Sequence, residues 1–246
     1  MAKIYLINVG TNTGDSGKAR SPRFPNGTWV YVPFPTEEGD PKGQPFPSSA
    51  RPFLRVRRGV KCHLDPDWNG LSYGDCCQNG RARALLRADK GDILLFWALL
   101  WQTSRGQSVF RSHARGWYLI GALRVERIFQ SLERVTGRAR WNAHVEHGRV
   151  EKRPGVRVFV GKRKHSCRFT RAVDWEIGLN GGLMQLVVKT KHGELIQWDR
   201  RPHWNSVTRS CRAILDLDCP RDRKVATLLA RRIGKQGRRF DLIKGV

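Results

Sequence analysis

Gly91-Asp92-Ile93-Leu94-Leu95-Phe96-Trp97, followed about twenty residues later by Gly116-Trp117-Tyr118-Leu119-Ile120-Gly121, decides the fold. A continuous apolar run entered through a glycine reads as a buried strand, and the two runs read as neighbouring core strands. Outward from them, residues 3–9 alternate and are β-branched, which predicts a strand. Residues 28–33 form another, bracketed by Pro25-Asn26-Gly27 and Pro33-Phe34-Pro35, and residues 53–57 a short one. Residues 116–128 carry the longest strand signal. Residues 155–160, 184–189 and 194–198 follow, the last two joined by His192-Gly193 in a hairpin pattern. Residues 81–88 predict two helical turns. Asp218-Cys219-Pro220 opens a helix with Val225, Leu228, Leu229 and Ile233 as its apolar stripe and Gly234 at its end. About eight strands and two or three helices define an α+β fold, a mixed or antiparallel sheet with a few peripheral helices. With no internal repeat and no clean linker, residues 1–246 read as one compact unit. Residues 36–50 are a Pro/Gly-rich surface loop and residues 220–246 a basic C-terminal helix and tail.

Composition narrows the classes. The chain has 246 residues, with 46 Lys+Arg against 21 Asp+Glu and a net charge of +25. Nine Trp, ten Phe and four Tyr are too much adhesive surface for a disordered chain. The glycines and prolines show no fibrous period. The longest apolar run, residues 93–101, is well short of the ~18–20 residues of a membrane span. The opening residues read as the first strand of a cytoplasmic protein, not as a signal peptide. Six scattered cysteines then predict reduced thiols.

The charge is not a tail. Residues 131–172 hold twelve basic and three acidic side chains, and residues 220–246 nine and two. A folded chain this basic repels itself, so the charge has a use, and a phosphate backbone is the leading partner. No segment has the apolar face of a lipid-surface helix, so a membrane partner is not expected. Arg149, Lys152, Arg153, Lys162, Arg163, Lys164 and Arg168 are the candidate phosphate contacts. Among the aromatics, Trp97, Trp101 and Trp117 serve either to stack a base or to pack the core.

His63-Leu64-Asp65-Pro66-Asp67-Trp68 is the most informative motif for chemistry. It places two carboxylates and an imidazole on a loop stiffened by proline, as proton transfer or cation binding requires. The plain alternative is a loop whose aspartates cap neighbouring backbone N–H groups. Gly10-Thr11-Asn12-Thr13-Gly14-Asp15-Ser16-Gly17 matches neither phosphate-loop nor dinucleotide spacing, and reads as a polar loop supplying Asp15. Cys62-His63 and Cys76-Cys77 lack zinc-site spacing, so zinc is not expected. Asn142-Ala143-His144 with His147 makes a second imidazole cluster.

Several signatures occur in order along the chain. They are Asp15-Ser16-Gly17, Ser21-Pro22-Arg23-Phe24-Pro25-Asn26-Gly27-Thr28 with Val32-Pro33-Phe34-Pro35, and His63-Leu64-Asp65-Pro66-Asp67. Gly91-Asp92-Ile93-Leu94-Leu95-Phe96, Gly121 with Arg124-Val125-Glu126, and Asn142-Ala143-His144 complete the series. Over roughly residues 3–204 this order resembles the third of the nucleotide-modification-associated domain families, domains linked to phage and bacterial systems that modify DNA bases. The Gly-Asp-strand-aromatic segment also looks like PUA-type domains, including the EVE and ASCH groups, which hold modified or flipped bases on a small β-barrel. The resemblance implies a PUA-like barrel core and a role in DNA base modification.

Two functions compete. One is an enzyme on a nucleobase or modified nucleotide with Asp15, His63, Asp65, Asp67 and His144 as its polar centre. There His63 or an aspartate is the base, and a second carboxylate orients the substrate or holds a divalent cation, the candidate cofactor. The other is a non-catalytic reader with aromatic walls at Trp97, Trp101 and Trp117. An RNA- or ribosome-associated binder ranks third, so DNA leads RNA as the partner. Carboxylates that converge in a pocket favour chemistry, because structural caps point into their own loops.

Overall fold

Ile93–Gln102 is buried at nine consecutive positions because both faces of this strand are covered. The computed structural model describes residues 2–11, 19–36, 43–78, 82–103, 115–145, 155–174, 210–235, 240 and 242. Among them the strands are β1 (Lys3–Asn8), β2 (Pro22–Arg23), β3 (Phe34–Pro35), β4 (Cys62–His63) and β5 (Ser72–Asp75), then β6 (Ile93–Gln102), β7 (Arg115–Phe129), β8 (Arg157–Asp174) and β9 (Ser210–Asp216). An α-helix, α1 (Pro220–Lys235), follows β9. The molecule is a mixed α+β fold made mostly of strands.

The main sheet runs β5-β8-β7-β6-β1-β9, with β2 pairing beside β6. β1 and β6 are parallel, in register from Ile4 opposite Ile93 to Asn8 opposite Trp97. β6 and β7 are antiparallel, so the two runs that predicted neighbouring core strands do pair. The alternation of β6 separates two cores. Ile93, Leu95, Trp97 and Leu99 face Ile4, Leu6 and the α1 stripe of Val225, Leu229 and Ile233. Leu94, Phe96, Ala98 and Leu100 face the concave side with Tyr5, Tyr31, Tyr73 and Phe159. Each Leu, Ile, Val or Phe side chain among them contributes about 1.5–3 kcal/mol when fully buried.

The sheet curls into a half-barrel, and its two edge strands touch. Asp75, on β5, accepts hydrogen bonds from the Ser210 hydroxyl of β9 at 2.6 Å and from the Tyr73 hydroxyl at 3.0 Å. It also accepts the Cys77 N–H at 2.9 Å. Cys77 (φ 54°) and Ser210 (φ 85°) are two of the three non-glycine residues with left-handed backbone among those described. Strain of this kind persists where surroundings over-determine it, here at the closure.

β7 and β8 diverge at one point that matters for charge. Leu123 pairs with Ser166 and Val125 with Gly161, so one residue of β7 faces four of β8. Lys162-Arg163-Lys164-His165 are thereby pushed out of the ladder, and all four are exposed. The neck of this bulge is tight: a Cβ on Gly161 would lie 2.4 Å from Ser166 Oγ.

Several local expectations differ from the structure. Residues 28–33 form only isolated bridges, Arg23 to Trp29 and Thr28 to Arg171. Their side chains satisfy the strand pattern because Trp29 and Tyr31 pack in the concave core. Residues 48–53 are 3-10 helix and Leu54 makes a lone bridge to Ala19, in place of a strand at 53–57. Residues 81–88 give a 3-10 helix at Ala82–Arg87. Within the segment expected as surface loop, Phe46 and Ala50 pack into the core. The strands expected at 184–189 and 194–198 lie outside the described residues. No helix among the described residues is long and apolar enough to cross a membrane.

Candidate active site

The site is built from β4 with its following loop, from β5, and from residues 142–144. His63 ends β4, which pairs with β3 so that Phe34 stands opposite His63 with ring centroids 5.0 Å apart. The loop after it is pinned to the sheet by Trp68. A Cβ on Gly121 of β7 would lie 2.3 Å from the Trp68 ring, so only glycine admits the indole there. The ring meets Tyr31 and Phe96 edge-on at 6.5 and 5.5 Å. The Tyr31 hydroxyl donates to the Asp65 main-chain carbonyl, and the Asp65–Pro66 peptide is cis.

Asp65 is buried and its carboxylate leaves its own loop. Oδ1 and Oδ2 accept the Gly74 N–H at 3.1 and 3.2 Å, and Oδ1 accepts Asn142 Nδ2 at 2.9 Å. Asn142 is fully buried and holds both sides of the site. Its amide NH₂ also donates to Ser72 Oγ, and its Oδ1 accepts the His144 backbone N–H at 3.0 Å. Gly74 leaves the room for this: a Cβ there would lie 2.5 Å from Asn142 Oδ1 and 2.6 Å from His144 Cβ. His144 Nε2 lies 3.0 Å from His63 Nε2 and 3.5 Å from Asp65 Oδ2, the two rings meeting nearly edge-on at 86°. Burial pushes the Asp65 carboxyl well above the usual carboxylate range, opposed by the Asn142 and Gly74 hydrogen bonds to its charged form.

Among the residues singled out from sequence, the structure therefore joins His63, Asp65 and His144. Their ligand-type atoms all lie within 4.8 Å of one another, and this is the one such group of three among the described residues. Asp67 does not join it through a hydrogen bond. Its Oδ1 accepts the Asn69 N–H two residues on, the capping arrangement of a loop aspartate. Asp15, Arg149, Lys152 and Arg153 lie outside the described residues. Cys62 is buried beside Pro45 O, outside the group.

The tryptophans require a correction. Trp97 and Trp117 are fully buried, edge-on to each other at 4.9 Å, and belong to the core under α1. Trp101 is 2% exposed, with the Arg20 and Arg115 guanidinium groups over its ring at 4.5 and 5.0 Å. None of the three offers a face to a base. Arg168 is likewise engaged: its guanidinium lies 4.3 Å over Trp29 and donates to the Trp29 carbonyl at 2.8 Å.

Among the described residues the exposed indole is one that sequence reasoning passed over, Trp141, at 66%. It lines a cleft of about 370 Å³ with Gln44, Leu64, Asp67 and Arg138, formed by the same loop and the same turn that carry the histidine–aspartate group. Arg138 also lines a second cleft of about 550 Å³ with Arg127, Lys162, Arg163 and Lys164. Asn142 and Gly74 were missed as site residues too. The signal for Asn142 was its place two residues before His144, the spacing of a side chain that caps the backbone of the turn it enters.

A family model, nucleotide modification associated domain 3, matches residues 3–180. The chain belongs to this family, and its association is with nucleotide modification. No curated protein and no solved structure matches the chain.

Proposed function

We propose that this protein is an enzyme of DNA base modification, acting on a nucleobase or modified nucleotide with His63, Asp65 and His144 as its working centre. The observation that carries the reading is the direction of the Asp65 carboxylate. A structural cap points into its own loop, as Asp67 does, whereas Asp65 reaches across to Gly74, Asn142 and His144. Gathering a buried acid and two imidazoles in a chain of +25 whose partner is a polyanion has a cost. A pure binder gains nothing from it.

The basic bulge and the clefts supply substrate binding in this reading. Lys162, Arg163 and Lys164 position the phosphate backbone, a contact that orients without reading sequence. Trp141, exposed and carrying the Arg140 guanidinium at 5.4 Å from its ring centroid, is the ring on which an extruded base stacks. DNA is the partner this reading takes, on the chain's excess of basic side chains and its resemblance to domains linked to systems that modify DNA bases. The reaction is tested by mass spectrometry of nucleosides from cellular DNA with and without the gene. A nucleoside that appears or vanishes with the gene supports the reading. An unchanged profile, with DNA binding intact, overturns it in favour of a reader that uses Trp141.

A further inference from the structure

We propose that His63, Asp65 and His144 are the ligands of one divalent first-row transition-metal ion, held with coordination positions left open for water or substrate. The inference rests on reading these three residues as the working centre, and adds what sits among them.

The geometry suits a cation shared by the three groups. His144 Nε2 faces His63 Nε2 at 3.0 Å and Asp65 Oδ2 at 3.5 Å at once. One ring nitrogen carries one hydrogen or one lone pair, so it serves one of these neighbours well and not both. A cation between the three serves all of them. Metal–nitrogen and metal–oxygen bonds of about 2.0–2.2 Å set neighbouring ligand atoms about 3.0 Å apart in an octahedral site and about 3.4 Å apart in a tetrahedral one. The two measured edges are near those lengths. The remaining edge lies within 4.8 Å and closes by a small movement of His63, which is half-buried on the two-residue β4.

The surroundings fit a metal site as well. Ligating groups are normally oriented by a further layer of hydrogen bonds. Here Asn142 fixes Asp65 through its NH₂ and the His144 backbone through its oxygen, and the Gly74 N–H holds the same carboxylate. Two imidazoles and one carboxylate select a transition metal over magnesium or calcium, which prefer all-oxygen sites. Three protein ligands leave positions for water or substrate.

The test uses the full chain without a histidine tag, stripped by a chelator and titrated with Co²⁺ while visible absorption is followed. One equivalent should bind with the ligand-field bands of a nitrogen–oxygen site. His63→Ala and His144→Ala should each weaken binding at least about tenfold, while a large excess of Mg²⁺ leaves the bands unchanged. His63 is half-buried on a two-residue strand, so His63→Ala keeps the test open if another variant fails to fold, and thermal melts establish which have folded. Binding well below one equivalent, unchanged affinity in folded His63→Ala, or displacement by Mg²⁺ would overturn the proposal. No nucleic acid is present in this measurement, so its failure is separate from a failure of the nucleoside test.

Discussion

His63 Nε2 and His144 Nε2 stand 3.0 Å apart although 81 residues separate them in the chain. The contact depends on Gly74, whose missing side chain leaves space for Asn142 and His144 against β5. It also depends on Gly121, whose missing side chain seats Trp68 and with it the loop that carries Asp65. Two glycines, on β5 and on β7 with β8 between them, thus set where these side chains meet.

Gly74→Ala should break this arrangement. Its Cβ would lie 2.5 and 2.6 Å from Asn142 and His144 atoms, closer than packing allows. Overpacking of this kind costs typically about 1–3 kcal/mol. Thermal melts should show that loss, together with lost modification activity. Gly234→Ala is the contrast: nothing lies within 4 Å of a Cβ there, on an exposed turn of α1, so it should leave stability unchanged or raise it by up to about 1 kcal/mol.

Closure of the sheet is testable at its edge contact. Asp75→Ala leaves the Tyr73 hydroxyl, the Ser210 hydroxyl and the Cys77 N–H without their buried acceptor. Each such orphan costs roughly 1–3 kcal/mol, so the variant should melt well below the parent. Ser210→Ala removes one of the donors and should cost about 1 kcal/mol. Equal melting of both variants and parent would show that the edges do not hold each other.

Thiol titration gives a pH dependence with a definite sign. Burial pushes the Cys77 and Cys211 thiols up to about 12. Their native forms therefore stay protonated through pH 10, while an unfolded thiol ionises near the ordinary value of 9.0. The unfolded chain releases these protons first, so this stability is fully present below about pH 9 and is lost as pH rises towards 12. Melting temperature should fall progressively above pH 9. In alkylation at pH 8, exposed Cys219 should react long before Cys77 or Cys211.

Much of the fold was legible in sequence and the site only in part. The apolar runs at Ile93 and Trp117 announced paired core strands, and α1 followed from the spacing of Val225, Leu229 and Ile233. The same burial made the tryptophans ambiguous. A Trp inside a continuous apolar run looks alike whether it packs or stacks, and only the cover of α1 and of Arg20 and Arg115 distinguishes the cases. Asp65 and Asp67 were likewise equivalent in sequence. Which one caps its own loop and which reaches Asn142 depends on a turn geometry that periodicity does not encode.

DNA binding should be steeply salt-dependent and concentrated at the bulge. Replacing Lys162, Arg163 and Lys164 together by Ala should weaken all sequences about equally and flatten the slope of log K against log salt by about 2–3 for a duplex. Trp141→Ala should lower single-strand affinity by roughly 1–3 kcal/mol with no change in melting temperature, because the ring is 66% exposed. A flat titration from low to physiological salt would leave the charge of the bulge without this use.

The most direct measurement compares nucleosides in DNA from cells carrying the parent chain with those carrying His144→Ala, after melts and DNA-binding assays have shown the variant folded and within about threefold of parental affinity. The account predicts that the modified nucleoside made with the parent is absent with His144→Ala. The same nucleoside at parental level with the folded variant would contradict it.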